Sequence, residues 1–135
     1  MKNYIVSIII ILIVFSSGCV IFDNLNIKRS INIENIGTGD NFRVDVSIEN
    51  QVNEPIIVNE VSLVFDEDQF TCIPQSQPNL NLQILPGDRK VIEFDRCEED
   101  YNAVPGEFLI KGILIYTRNN IQQKLDIEGA KRIVE

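Results

Sequence analysis

The sequence predicts a single all-β domain, an antiparallel sandwich of about seven strands, preceded by an N-terminal hydrophobic helix. Three observations support this fold class. From Leu25 onward apolar and polar residues alternate, as they do in strands with one buried face. Turn-forming residues separate the alternating runs at intervals of roughly 8 to 15 residues. No segment of helical period lies between the runs, so the strands are expected to pair with one another directly.

Residues 1–22 have the pattern of a targeting or membrane segment, which leaves residues 23–135 as the domain. Lys2 is followed by an almost unbroken apolar run over residues 4–15 and then by the small residues Ser16, Ser17 and Gly18. This order is typical of a secretory signal peptide. The uncharged stretch over residues 4–22 would span about 28 Å as a helix, close to the thickness of a bilayer core. An uncleaved transmembrane anchor is therefore the alternative.

The end of this segment, FSSGC at residues 15–19, resembles the lipobox of prokaryotic membrane lipoproteins. The resemblance implies that Cys19 is lipidated and becomes the new N-terminus. In the alternative, Cys19 is an apolar residue within a membrane helix. Under either interpretation the domain is held at the outer face of the cell membrane, lipid-anchored or single-pass; a released, secreted domain is the third alternative.

The first half of the domain contains the clearest strand signals. Residues 25–33 place apolar side chains on one face, interrupted by Arg29. Residues 42–49 alternate strictly, which predicts a half-buried strand. In residues 56–65 the apolar phase slips near Asn59, which predicts a bulge or a bend between two sheets.

The second half continues with strands over residues 80–84, 92–94, 108–117 and 121–127, and Ile133 is expected to end a short final strand. Residues 108–117 are apolar on both faces, which is typical of a central strand. Pro74 and Pro78 predict an irregular stretch over residues 71–79 and exclude a central strand there. Turns are expected at residues 37–40, 53–55, 86–88, 104–106, 119–120 and at Gly129.

Four segments in this order resemble the strands and turns of immunoglobulin-like domains on prokaryotic surface proteins. They are FRVDVSIEN at residues 42–50, EPIIV at 54–58, LPGD at 85–88 and VIEF at 91–94. The same order is similar to the small sandwich of the LEA14-like domains of water-stress proteins. The resemblance implies an immunoglobulin-like sandwich that serves as a binding or spacer module.

Composition excludes several classes of function. The part after residue 22 carries 11 basic and 20 acidic residues, a net charge of −9, so it should repel nucleic acid and should not be attracted to anionic lipid headgroups. Histidine is absent, which removes the commonest general base and the commonest metal ligand. No nucleophile has a base near it in sequence and no glycine-rich phosphate loop is present. We therefore expect no enzymatic activity.

Two function classes remain. The first is a binding or structural module of the cell envelope, partnered by a neighbouring surface protein or polymer. The alternative is an accessory subunit of a membrane-anchored secretion, filament or transport complex. An exposed apolar patch would favour the alternative, because subunits assemble through such surfaces.

Cys72 and Cys97 remain once Cys19 is assigned to the membrane. Two cysteines in an exported domain usually form a disulfide, which here would close a loop of about 26 residues and stabilise the fold by roughly 3 to 4 kcal/mol. Two separate buried thiols are the alternative.

Two acidic clusters lie close to these cysteines in sequence. The clusters are Asp66, Glu67 and Asp68 before Cys72, and Asp95, Glu98, Glu99 and Asp100 around Cys97. A disulfide would bring these seven carboxylates to one end of the domain, with Arg96 as the local counter-charge. Calcium is the candidate ion, because it binds six to eight oxygen ligands. In the alternative, both clusters are solvated loops that keep the domain soluble. No other cofactor is expected.

Overall fold

The computed structural model describes residues 26–37 and 39–135, which form nine strands and no helix. The prediction of an all-β, antiparallel domain is therefore confirmed. The predicted N-terminal helix and Cys19 lie outside the described residues, and within the described part no helix is long and apolar enough to cross a membrane. The strands are β1 Ile27–Asn35, β2 Asn41–Asn50, β3 Ile56–Val64, β4 Phe70–Cys72, β5 Ser76–Gln77, β6 Leu82–Ile84, β7 Arg89–Glu99, β8 Gly106–Arg118 and β9 Ile121–Val134.

The strands form two sheets. The first has the order β1-β2-β7-β4, and the second has the order β5-β3-β8-β9 with β6 also paired to β3. Every pairing is antiparallel. The strands β1 and β9 are edge strands of different sheets, and the Arg29 side chain of β1 joins them, because its Nε donates a 2.7 Å hydrogen bond to the Asp126 carbonyl of β9.

Both sheets contribute to one hydrophobic core. In β2 the even-numbered residues from Phe42 to Ile48 are fully buried, as the strict alternation predicts. The ring of Phe70, in β4, makes edge-to-face contacts with Phe42 of β2 at 5.6 Å and with Phe65 and Phe108 at 6.0 Å. Because Phe108 lies in β8, these rings pack the first sheet against the second. Such pairs add about 0.5 to 1.5 kcal/mol each beyond the area they bury.

The sequence predicted irregular backbone at two points, near Asn59 and at Gly129. The first prediction is confirmed and the second is wrong. The slip predicted near Asn59 is confirmed, since the β3–β8 register shifts between Val58 and Glu60. The turn predicted at Gly129 and the separate final strand at Ile133 are wrong, because β9 continues from Ile121 to Val134. Gly129 is instead a point of close approach: a Cβ there would lie 2.9 Å from the Ile110 carbonyl oxygen, which no side chain tolerates.

The stretch over residues 71–79 contains the chain's passage from one sheet to the other. The short strand β4 lies at the edge of the first sheet and β5 at the edge of the second, with the cis peptide Ile73–Pro74 between them. The exclusion of a central strand here is confirmed. The count of about seven strands is too low, because strands of two or three residues produce no periodic signal.

Candidate functional site

Cys72 and Cys97 form the predicted disulfide. The two residues lie directly opposite each other on β4 and β7, their Cα atoms are 4.1 Å apart, and both are buried. The bridge therefore joins two neighbouring strands of one sheet, and its cysteines have a sequence separation of 25.

The disulfide brings the two acidic clusters to the same end of the domain, as predicted. Phe70 pairs with Glu99, and the Asp100 amide donates a 2.8 Å hydrogen bond to the Gln69 carbonyl. The first cluster begins a tight turn, since the Gln69 and Phe70 amides both donate to the Asp66 carbonyl. The two segments that flank the bridge are thus hydrogen-bonded to each other.

Three of the seven carboxylates at this acidic end bind groups of the protein itself. Glu99 pairs with Arg132 of β9 at 3.0 Å, and both side chains are almost buried, at 12% and 9% exposure. Asp100 accepts a 2.6 Å hydrogen bond from the Thr71 hydroxyl, and Asp66 accepts one from the Asp68 amide. Arg132, distant in sequence, is therefore a counter-charge of this end, and the assignment of that role to Arg96 alone was wrong.

No metal site is assembled from these groups. Within residues 26–37 and 39–135, no group of three or more histidine, cysteine, aspartate or glutamate side chains is arranged to hold a metal ion. Calcium binding stays a prediction from the sequence. Melting curves with millimolar calcium and with chelator test it, because calcium at a hundred times its dissociation constant would stabilise the fold by about 2.7 kcal/mol.

A large concavity lies elsewhere in the described part of the chain, along the edge strands β1 and β9. It is an open groove of about 1120 Å³. Residues of β1, β2, β7, β8 and β9 line it, together with Val64 at the end of β3. Concave surfaces of this size are the usual places where proteins bind ligands.

The groove is positively charged in a negatively charged molecule. Of the eleven basic residues after residue 22, five line the groove: Lys28, Arg29, Arg89, Lys111 and Lys131. Three acidic residues also line it: Glu49, Asp126 and Glu128. The lining therefore carries a net charge of +2, whereas the whole chain carries −8. The basic residues come from four strands, and the fold brings them together.

Three of these basic side chains are available to an external ligand. Lys28, Arg89 and Lys111 are exposed, and they form no hydrogen bond or ion pair within the part of the chain that the structure describes. Lys131 forms only a long, exposed pair with Glu107, at 3.7 Å. Glu49 lies opposite both Lys28 and Arg89 in register and reduces the local positive charge without forming a close pair with either.

Aliphatic side chains share this region. Leu109 of β8 and Val64 of β3 are 46% and 44% exposed, and Ile113 and Ile115 of β8 are half-buried on the same outward face. They alternate with Ile110 and Leu114, which are completely buried in the core. The prediction that β8 is apolar on both faces, apart from Lys111 and Gly112, is thus correct. Leu109, Ile113 and Ile115 on its outward face and Val64 of the neighbouring β3 form an aliphatic row, which Lys111 interrupts.

Sequence reasoning did not find the groove. Its basic residues are spread from residue 28 to residue 131. Three adjacent basic pairs are visible in the sequence, Lys28–Arg29, Arg89–Lys90 and Lys131–Arg132, but the pairs are far apart and none belongs to a recognisable motif. One signal was present: Arg29 interrupts the inward apolar face of β1. Its guanidinium donates to the carbonyls of Asp126 and Ile27, so it fixes β1 against β9 beside the groove.

Comparison with known proteins adds no assignment. A scan against protein-family models gives no match, and a search of the curated proteins finds no relative of this chain.

Proposed function

We propose that the chain is a membrane-tethered binding or structural module of the cell envelope, built on an immunoglobulin-like β-sandwich. The strand order supports this choice. In immunoglobulin-like domains one sheet has strands A, B, E and D, and the other has C, F and G. Here β1-β2-β7-β4 corresponds to the first set in chain order and β3-β8-β9 to the second.

The proposed location is the outer face of the cell membrane. The hydrophobic segment over residues 4–15 and the lipobox-like FSSGC support it, as does the disulfide, because disulfides persist in oxidising compartments. Intact mass of membrane-extracted protein distinguishes the two forms of tether. A lipoprotein begins at Cys19 and carries acyl mass, whereas a helical anchor begins near Met1. In the lipoprotein form, Cys19→Ser leaves an unprocessed precursor.

The proposed binding site is the basic groove, and its ligand is anionic. The observation that carries this proposal is the net positive charge of the groove in an otherwise acidic chain. Anionic ligands would be repelled by the net negative charge of the molecule, so a local positive potential is needed to bind an anion. The aliphatic residues Val64, Leu109 and Ile113 in the same groove would contact apolar parts of the ligand.

The test compares two double variants with the same change in charge. Full-length protein is recovered from gently solubilised membranes, and the anionic components that accompany it are identified. Lys28→Gln/Arg89→Gln should lose them, while Arg96→Gln/Lys124→Gln, whose residues lie outside the groove, should retain them. Equal recovery with both variants would refute the groove as the binding site.

The aliphatic row favours a second candidate, an accessory subunit of a membrane-anchored complex. Exposed aliphatic side chains on one sheet face are typical of surfaces through which subunits assemble. Leu109→Lys should then release the chain from a larger complex in a size-exclusion experiment. The control Ile133→Lys, exposed to 63% but outside the row, should leave the complex intact. Identical elution of wild type and both variants would leave the binding module as the only candidate.

A further inference from the structure

The groove begins where the domain leaves its proposed tether. β1 starts at Ile27, five positions after Phe22, the last residue of the uncharged stretch, and eight positions after Cys19, the tether of the lipoprotein form. Fully extended, five residues span at most about 17 Å and eight at most about 28 Å. Lys28 and the strand ends beside it are therefore held close to the membrane surface, if the tether is as proposed above.

Charge is distributed unevenly along the strands. Lys28, Glu49 and Arg89 form one row across β1, β2 and β7 at the tether end. At the other end of β2, Asn41 pairs with Glu98 in the second acidic cluster. The eight residue-to-residue steps from Asn41 to Glu49 extend for about 27 Å. The acidic end thus lies several Debye lengths from the row that contains Lys28, since the Debye length is about 8 Å at physiological salt.

Two exposed aliphatic side chains belong to the tether end. Leu85, 49% exposed, begins the turn that precedes Arg89, and the Gly87 amide in that turn donates to the Asn50 carbonyl. Ile121, 60% exposed, pairs with Arg118, which in turn forms an ion pair with Glu54 a few residues after Asn50. The end of the domain nearest the tether therefore combines exposed aliphatic side chains with Lys28 and Arg89, cations that form no ion pair within the described residues.

We infer that the basic groove docks the domain onto the anionic phospholipid headgroups of the membrane that carries the tether. This inference rests on the proposed function and names the anionic ligand of the groove. Near an anionic bilayer each basic side chain strengthens binding about fivefold, which corresponds to ~1 kcal/mol. The effect depends on charges within a Debye length of the surface, so the distant acidic end does not cancel it.

Position distinguishes the lipid surface from other anionic ligands. A soluble polymer would match the groove by charge alone, whereas the membrane matches it by charge and by distance from the tether. A second copy in the same orientation would present its acidic end about 27 Å along the strands from the Lys28 row of its neighbour. The two surfaces would not meet at the same height.

The test uses the full chain reconstituted in nanodiscs of phosphatidylcholine, with or without phosphatidylglycerol, that contain a nitroxide-headgroup lipid. Paramagnetic broadening of backbone NMR signals reports how close each residue lies to the headgroups. With phosphatidylglycerol, the signals around Lys28 and Arg89 should broaden strongly while those of Asp66 to Asp68 do not. Without it, the difference between the two ends should decrease.

Matched variants measure the contribution of the groove. Lys28→Gln/Arg89→Gln removes two cations and should lower the ratio of docked to undocked domain about 25-fold. Arg96→Gln/Lys124→Gln makes the same change in charge outside the groove and should leave the ratio within a few-fold of wild type. High salt should abolish docking in all forms, because screening shortens the range of the interaction.

The outcomes separate failure of the tether from failure of docking. A chain that does not float with phosphatidylcholine vesicles refutes the tether, and docking with it. A chain that floats but shows the same broadening in both kinds of nanodisc refutes docking alone. Addition of soluble polyphosphate is the third measurement. If polyphosphate shifts the Lys28 and Arg89 signals and phosphatidylglycerol does not, the ligand of the groove is a soluble polymer and the inference is overturned.

Discussion

The two charged regions of this domain differ in what their charges contact. At the acidic end, Glu99 binds Arg132, Asp100 binds Thr71, and the disulfide holds the strands that carry them. In the groove, Lys28, Arg89 and Lys111 bind no group of the described chain. The acidic end, which the sequence marked most clearly, stabilises the fold. The groove, which the sequence did not mark, is where charge remains available for a ligand.

The difference shows why net charge is a poor guide to the partners of a small domain. A net charge of −9 predicts repulsion from anionic lipid at a distance, where all the charges of the domain act together. At contact, only charges within about a Debye length matter, roughly 8 Å. The residues that line the groove sum to +2, although three carboxylates are among them. The predictions below test whether the acidic end stabilises the fold and whether the fold can do without the charges at the tether end.

The largest effect is expected from breaking the bridge at the acidic end. Cys72→Ser/Cys97→Ser frees a loop of about 25 residues in the unfolded chain and should destabilise the domain by about 3 to 4 kcal/mol. For a domain of this size the melting temperature should fall by roughly 15 to 25 °C. Thermal unfolding measures it, and reductant should lower the wild-type curve by a similar amount.

Cys19→Ser is the control for the loss of a cysteine outside the bridge, and it should leave the melting temperature of the domain unchanged. Wild-type stability in the double variant would show that the acidic end does not depend on the disulfide.

The next effect is expected from Arg132→Met, which keeps the size of the side chain and removes the charge. Glu99 would be left nearly buried without its partner, Asn35 would lose a 2.8 Å hydrogen bond, and the guanidinium would no longer cover the Phe42 ring at 4.0 Å. Removal of one member of a buried pair costs about 3 kcal/mol or more. Denaturant unfolding measures the loss.

Lys131→Met is the matched control, one position away on β9. Its pair with Glu107 is long and both side chains are largely exposed, so the cost should be below about 0.5 kcal/mol. Equal costs for the two variants would contradict a structural role for Arg132.

A smaller loss of stability is expected from Asn50→Ala at the tether end, where Asn50 pairs with Ile27. The Asn50 side chain is completely buried, donates to the carbonyls of Glu54 and Ile84, and accepts from the Val52 amide. Alanine leaves these backbone groups without partners, which should cost about 2 kcal/mol. Asn53→Ala, an exposed asparagine of the same loop, should change the free energy of unfolding little. If Asn50→Ala is equally mild, the loop is held by other contacts.

How far the sequence predicts this molecule depends on the range of each interaction along the chain. Strict alternation in β2 and the phase slip at Asn59 are local patterns, and both appear in the structure as expected. The turn predicted at Gly129, by contrast, is wrong. Glycine signals a turn from local sequence alone, but here it permits close contact with the Ile110 backbone of a neighbouring strand. Only the pairing of β8 with β9 reveals that requirement.

Whether each site could be predicted also depends on how far apart its residues lie along the chain. The cysteine pairing could be predicted because two cysteines in an exported domain leave one combination. The counter-charge Arg132 could not, since it lies 33 positions from Glu99 and reaches it through the packing of two sheets. The groove depends on residues from Lys28 to Lys131, so no sequence window contains it. Charge that is dispersed in sequence becomes a site only through topology.

The smallest expected effect concerns the ion pair between Arg118 and Glu54 at the tether end, whose carboxylate has a lowered pKa. Arg118 donates a 3.0 Å hydrogen bond to Glu54, and this bond holds the pKa of Glu54 below its ordinary value of 4.5, with a further contribution from the Asn119 side chain. A carboxylate with a lowered pKa stabilises the folded state above about pH 4.5, and this contribution is lost as the pH falls through the lowered pKa. Because Glu54 is well exposed to solvent, the contribution should be small.

Melting temperatures between about pH 6 and pH 3 should therefore fall slightly less in Glu54→Gln than in wild type. Arg118→Gln should reproduce the change, since it removes the donor instead of the acceptor. Parallel curves for all three proteins would mean that this pair adds nothing to stability, and a large difference would mean that the tether end, like the acidic end, depends on its charges to stay folded.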